Sequence, residues 1–127
     1  MKPMTREWVD RAEADFSAAL LLRQSRKKHS RDLVCFHLQQ CVEKYLKARL
    51  DDAAITFPKT HDLVRLLDLV VPLEPLWATF RPALLTITDY AVTARYPGRS
   101  ATPPEATSIL KAARHIRSIV RATLGLS

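Results

Sequence analysis

Glycine is almost missing from this chain: its 127 residues include two, Gly98 and Gly125. That scarcity excludes a glycine-rich phosphate loop, a dinucleotide-binding fingerprint and a flexible linker. Aromatic residues make up 7% of the chain and cysteines number two. Cys35 and Cys41 stand six residues apart in one expected helix, about 240° around its axis, so they cannot pair with each other and are read as reduced, buried thiols. Long apolar runs are lacking too. The most apolar stretch, Leu66 to Leu76, is broken by Asp68 and Pro72 and falls well short of the roughly 20 residues a membrane-spanning helix needs. The opening Met-Lys-Pro-Met-Thr-Arg-Glu-Trp sets no apolar segment behind its charges, which argues against a secretory signal and for the cytoplasm. The four histidines, two cysteines and 13 carboxylates show no His-x-x-x-His, Cys-x-x-Cys or paired-carboxylate spacing, so neither a metal nor another cofactor is expected.

What is present is helix-forming. Hydrophobic residues are 47% and charged residues 26% of the chain, with Leu, Ala, Arg and Val prominent, as in a single globular domain spanning 1–127. Five helical segments can be read. The first runs from about Thr5, its N-cap, to Gln24, with Trp8, Ala12, Phe16, Ala19 and Leu20 at helical spacing. Ser30 caps a second, from about Arg31 to Asp51, and Thr60 caps a third, from His61 to about Val71, stopped by Pro72. A fourth spans roughly Pro75 to Thr93, kinked at Pro82 or starting there, and a last one opens at Pro104-Glu105 and runs to about Leu124. In that last helix Ile109, Ala112, Ala113, Ile116, Val120 and Leu124 share one arc, with Lys111, Arg114, Ser118 and Arg121 opposite. Short connections between amphipathic helices predict an all-α, up-and-down antiparallel bundle of four to five helices.

The net charge of +7 is concentrated in two zones. Residues 23–31 hold five basic and no acidic side chains, and residues 93–127 hold six basic against one acidic. Such zones are either solvated faces or a footprint for RNA, nucleotide or an acidic partner. Were they to meet across a dimer, a nucleic acid would have somewhere to lie. Phosphate would then be held by Arg and Lys side chains or helix N-termini, since glycine loops are lacking.

The second segment is expected to be the central helix, because Val34, Cys35, Leu38, Cys41, Val42, Tyr45, Leu46 and Leu50 cover about 200° of it. Against them His37, Gln40, Glu43, Lys44 and Lys47 recur at three- and four-residue steps as a narrow polar stripe. It reads either as the exposed side of an amphipathic helix, with Glu43 and Lys47 as an ordinary ion pair, or as the wall of a groove for a polar ligand.

The run Cys35-Phe36-His37-Leu38-Gln39-Gln40-Cys41-Val42-Glu43-Lys44-Tyr45-Leu46-Lys47-Ala48, followed by Pro58-Lys59-Thr60-His61-Asp62-Leu63, Asp89-Tyr90 and Ala94-Arg95-Tyr96-Pro97, resembles the prokaryotic HEPN domain (higher eukaryotes and prokaryotes nucleotide-binding). The Arg11-Ala12-Glu13-Ala14-Asp15 run is similar to that family's first helix. The resemblance implies an all-α bundle, usually a homodimer, often the partner of a small nucleotidyltransferase in a toxin–antitoxin module. Some members cut RNA without a metal, while others bind nucleotides or hold a partner. Nuclease members carry an arginine followed, after four to six positions, by a histidine that moves a proton while the arginine stabilises phosphorane charge. Arg31-Asp32 to His37 and Arg23 to His29 fit that spacing, although about one match is expected by chance and both lie early in the chain. The main reading is a binding and interaction module whose groove for nucleotide or RNA is lined by His37, Gln40, Glu43, Lys44, Lys47, His61, Arg95 and Tyr96. The alternative is an endoribonuclease toxin using Arg31 and His37.

Overall fold

The computed structural model describes residues 1–93 and 96–127. Among the described residues there are five α-helices, α1 (Pro3–Arg23), α2 (Lys28–Asp52), α3 (Leu63–Val70), α4 (Arg81–Thr93) and α5 (Pro103–Thr123), with one 3-10 helix, Pro75–Phe80, between α3 and α4. The described residues contain no strand. Helix α2 is the axis of the bundle and touches α1, α3, α4 and α5. All eight apolar residues that define its wide face are buried. The side-chain pairs fix the directions of the other helices. Thr5 meets Asp51 and Asp15 meets His37, so α1 and α2 are antiparallel. Tyr90 bonds Glu105 and Phe80 packs edge-on to His115, so α4 and α5 are antiparallel. Arg31 reaches Ala101 and Arg121 reaches Tyr45, so α5 runs beside α2 in the same direction.

The local signals set the helices and missed several ends. Helix α1 begins at Pro3 behind Lys2, which caps with no side-chain bond. Thr5 is not a cap. It is fully buried and donates to Asp51 Oδ2 at 2.5 Å, a partner that only the packing of α1 on α2 supplies. Likewise α2 starts at Lys28, so Ser30 lies inside its first turn. For α3 the cap is Asp62, whose Oδ1 accepts from the backbone N–H groups of Val64 and Arg65, while Thr60 accepts only from the N–H of Asp62. A carboxylate at that position satisfies two orphan donors and complements the helix dipole, so it outcompetes the hydroxyl two residues earlier. Pro82 sits in the first turn of α4, where its missing N–H costs nothing, and no kink is needed. Helix α5 opens with a capping box between Thr102 and Glu105.

The start of α5 is fastened to α2 by two consecutive residues. Arg31 Nε donates to the carbonyl of Ala101 (3.1 Å), and buried Asp32 accepts from the N–H of the same Ala101 (2.9 Å) and from Ser100 Oγ (2.9 Å). Both backbone groups of Ala101, itself buried, are thereby satisfied by the first turns of α2. No helix of the described residues is long and apolar enough to cross a membrane.

Candidate functional site

The polar stripe of α2 is closed by the helix and the segment that lie over it. Asp15, on α1, accepts from His37 Nδ1 (2.8 Å) and Lys44 Nζ (2.5 Å). Glu43, 2% exposed, holds Lys47 Nζ (3.0 Å) and His61 Nδ1 (2.9 Å) and receives a longer bond from Gln39 (3.4 Å). Gln39 also donates to the His61 carbonyl, and Gln40 donates to Gln39 Oε1 (2.8 Å). The Lys47 ammonium lies 5.3 Å from the Trp8 ring centroid and 6.0 Å from that of Phe57, so two aromatic faces cover it. Among the described residues no buried side-chain N or O atom lacks a partner. These contacts make the stripe an internal network of two carboxylates and the lysine, histidine and glutamine nitrogens around them. His61 remains largely exposed although its ring nitrogen is anchored on Glu43.

A second network ties α1 to α5. Arg117 forms a bidentate pair with Glu13 (2.7 and 2.6 Å), Arg121 approaches the same carboxylate at 3.6 Å, and the buried Tyr45 hydroxyl donates to it. The Arg117 bond holds the Glu13 carboxyl below its ordinary range, with Tyr45 and Arg121 adding to the effect against the opposing cost of burial. Burial together with the Glu13 carboxylate pushes the Tyr45 hydroxyl far up. Arg117 also lies over the Phe16 ring, 4.4 Å from its centroid.

The open concave surface lies elsewhere. Arg23 at the end of α1, Arg26 in the turn and Arg31 at the start of α2 surround a cavity of about 280 Å³ whose other walls are Val34, Thr107, Pro103 and Ala106. Arg23 and Thr107 also line a second cavity of about 310 Å³, which continues along α5 past Lys111, Arg114, His115 and Ser118. The shared residues make the two a single groove. Among the described residues no carboxylate lies within ion-pair distance of Arg23, Arg26, Lys111 or Arg114. The two basic zones of the sequence therefore meet within one chain, and they meet away from the stripe. Arg117 and Arg121, from the same zone, are spent on Glu13.

The sequence-predicted residues separate accordingly. His37, Gln40, Glu43, Lys44, Lys47 and His61 are brought together, but as partners of one another and of Asp15. Arg31 lines the groove. It is six residues from His37, which puts the two roughly 120° apart around the helix axis and about 9 Å apart along it. Arg31 is bonded to Ala101 and Arg26 carbonyls and His37 to Asp15, so the pair does not converge on one position. Arg23 and His29 fare similarly: Arg23 lines the groove, whereas His29 is 90% exposed and 4.0 Å from Asp32. Tyr96 is exposed and borders a shallow hollow with Lys28, His29 and Arg99, and Arg95 lies outside the described residues. The residues missed by sequence reasoning are Asp15 and Gln39, which close the stripe, and Thr107 and His115, which complete the groove. The only prior signal for the groove was the uneven distribution of charge.

Compared with known proteins, the chain matches the HEPN domain family model over residues 5–123. No curated protein and no solved structure matches it. The family match spans all five helices, from the first turns of α1 to the last residue of α5, and with it the chain belongs to the HEPN domain family.

Proposed function

We propose that this HEPN domain is a binding and interaction module, the partner of a small nucleotidyltransferase in a toxin–antitoxin-type pair, and that its ligand, nucleotide or RNA, lies in the basic groove between the α1–α2 turn and α5. One observation carries the reading: two basic zones far apart in sequence converge on a single open groove, and among the described residues no carboxylate lies within ion-pair distance of its Arg23, Arg26, Lys111 or Arg114. Such a surface concentrates positive potential where a phosphodiester chain can reach it. The stripe fits this role less well, because its charges are already paired internally. The nuclease alternative needs an arginine and a histidine at one phosphate, and Arg31 and His37 face different neighbours.

The test is binding of a labelled RNA by fluorescence anisotropy in low salt. Arg23→Glu and Lys111→Glu should each weaken binding about tenfold or more and flatten its salt dependence. Arg65→Glu, on the exposed side of α3, should not. Binding that is absent in low salt, or indifferent to both groove substitutions, overturns the ligand reading. RNA degradation in EDTA that His37→Ala abolishes with the fold intact overturns the binding-module reading. A homodimer and a complex with the nucleotidyltransferase encoded beside this chain are the assemblies expected by size-exclusion chromatography with light scattering.

A further inference from the structure

The two halves of the groove differ in chemistry. At the α2 end, Val34, Pro103 and Ala106 supply apolar walls, and the charged groups Arg23, Arg26 and Arg31 stand around them. Along α5 the lining is Arg23, Lys111, Arg114 and His115 with the hydroxyls of Thr107 and Ser118 and one apolar side chain, Leu110. Both halves hold three cations, and what separates them is the apolar wall: three side chains in the first half and one, Leu110, in the second. The first half suits a planar, partly apolar group carrying polar edges, and the second suits phosphates.

Arg31 gives the first half its particular character. Its Nε is held by the Ala101 carbonyl at 3.1 Å and its Nη1 by the Arg26 carbonyl at 3.4 Å, so its guanidinium plane is fixed before any ligand arrives. Arg26 sits at φ +58°, a left-handed conformation uncommon outside glycine, and the Arg31 bond reaches the carbonyl of that residue. Unpaired bases stack on aromatic rings or on arginine planes. Among the described residues that line the groove there is no tryptophan, tyrosine or phenylalanine, and a pre-oriented guanidinium beside an apolar wall supplies the missing platform. On the second half, Arg114 is itself braced, 5.9 Å over the Phe16 ring.

We infer that the groove is a bipartite site for single-stranded RNA: an unpaired base enters the cavity between Arg31 and the Val34–Pro103–Ala106 wall, and the adjoining phosphates run along Lys111 and Arg114, with Arg23 between them. This rests on the proposed ligand reading and narrows it. A duplex keeps its bases stacked inside and offers only phosphates, so it engages the α5 half alone. A mononucleotide fills one half and forgoes the gain of linking both.

Anisotropy titrations of the whole protein with three RNA probes of equal length decide the matter: an unstructured single strand, the same strand in a duplex, and an abasic strand with the same phosphates. The single strand should bind about tenfold more tightly than either of the others, the scale of one base–side-chain stack. Arg31→Lys, which keeps the charge and removes the plane, should lower single-strand affinity to that of the abasic strand and leave abasic binding within about twofold of wild type. Equal affinity of wild type for all three probes overturns the base site while leaving the phosphate-binding groove standing. No binding of any probe overturns both. Should Arg31→Lys lose helical circular dichroism, the comparison of the three probes on wild type still decides. A folded Arg31→Lys variant with an unchanged single-strand preference overturns the role given to Arg31.

Discussion

Replacing Glu43 by alanine should destabilise the bundle strongly, and the size of the effect follows from what the substitution strands. The Glu43 and Lys47 side chains are 2% and 7% exposed, so their ion pair is desolvated. Taking away one partner of a buried pair costs about 3–5 kcal/mol, since the other charge stays buried without compensation. Here Trp8 and Phe57 flank the Lys47 ammonium and continue to stabilise it by something on the order of 1 kcal/mol. The net expectation is about 2–4 kcal/mol, with little from His61, whose exposed ring gives up a screened contact. In a domain of this size that is a fall in Tm of roughly 6–16 °C, measurable by circular dichroism at 222 nm. The double variant Glu43→Met/Lys47→Met removes both charges and keeps volume, so it should recover most of the loss. A Glu43→Ala protein melting within about 2 °C of wild type, or a double variant no more stable than the single one, would refute the view that this pair is desolvated and mutually dependent.

Two further outcomes follow from the shifted groups. The Glu13 carboxyl titrates below its ordinary value of 4.5 in the folded chain, mainly through Arg117, so its stabilising contribution is fully present above that value and is lost as pH falls through the folded one. Melting temperatures measured from pH 6 down to pH 3 should therefore drop less steeply for Glu13→Gln than for wild type, from a lower starting point; parallel curves would contradict the assignment. Glu105, also lowered, chiefly by its bond from Tyr90, keeps its own share of the acid dependence in both proteins. Burial pushes the Cys35 thiol up to about 11 and the Cys41 thiol higher still, so neither is a thiolate at neutral pH. A thiol reagent such as DTNB should label both only as fast as the chain opens, and rapid labelling of native protein would show that one of them is not enclosed.

The helices were readable because their cause is local. Apolar residues at three- and four-residue intervals in α2 and α5 specify an arc that is buried whatever the neighbours are: all eight apolar residues of the α2 arc are buried, as are Ile109, Ala113, Ile116 and Val120 of the α5 arc. Helix ends were less readable where the deciding partner is remote. Thr5 looks like a cap until Asp51 takes its hydroxyl, and Thr60 looks like one until Asp62 is seen to accept two backbone N–H groups. The stripe His37, Gln40, Glu43, Lys44 and Lys47 was legible as a pattern, but nothing in α2 says whether its polar side is wet. Asp15, 22 and 29 residues away from His37 and Lys44, settles that by lying over them.

The sequence by itself determined an all-α chain with a central apolar helix, two reduced thiols and two separate basic zones, because spacing, composition and local charge are properties of short segments. Only the tertiary structure decided which charges remain available. It placed α5 alongside α2, fastened at Ala101 by Arg31 and Asp32. It gave Arg117 and Arg121 to Glu13 and left Arg23, Arg26, Lys111 and Arg114 facing one groove. A charge acts through its distance to other charges, and those distances exist only once the helices have packed.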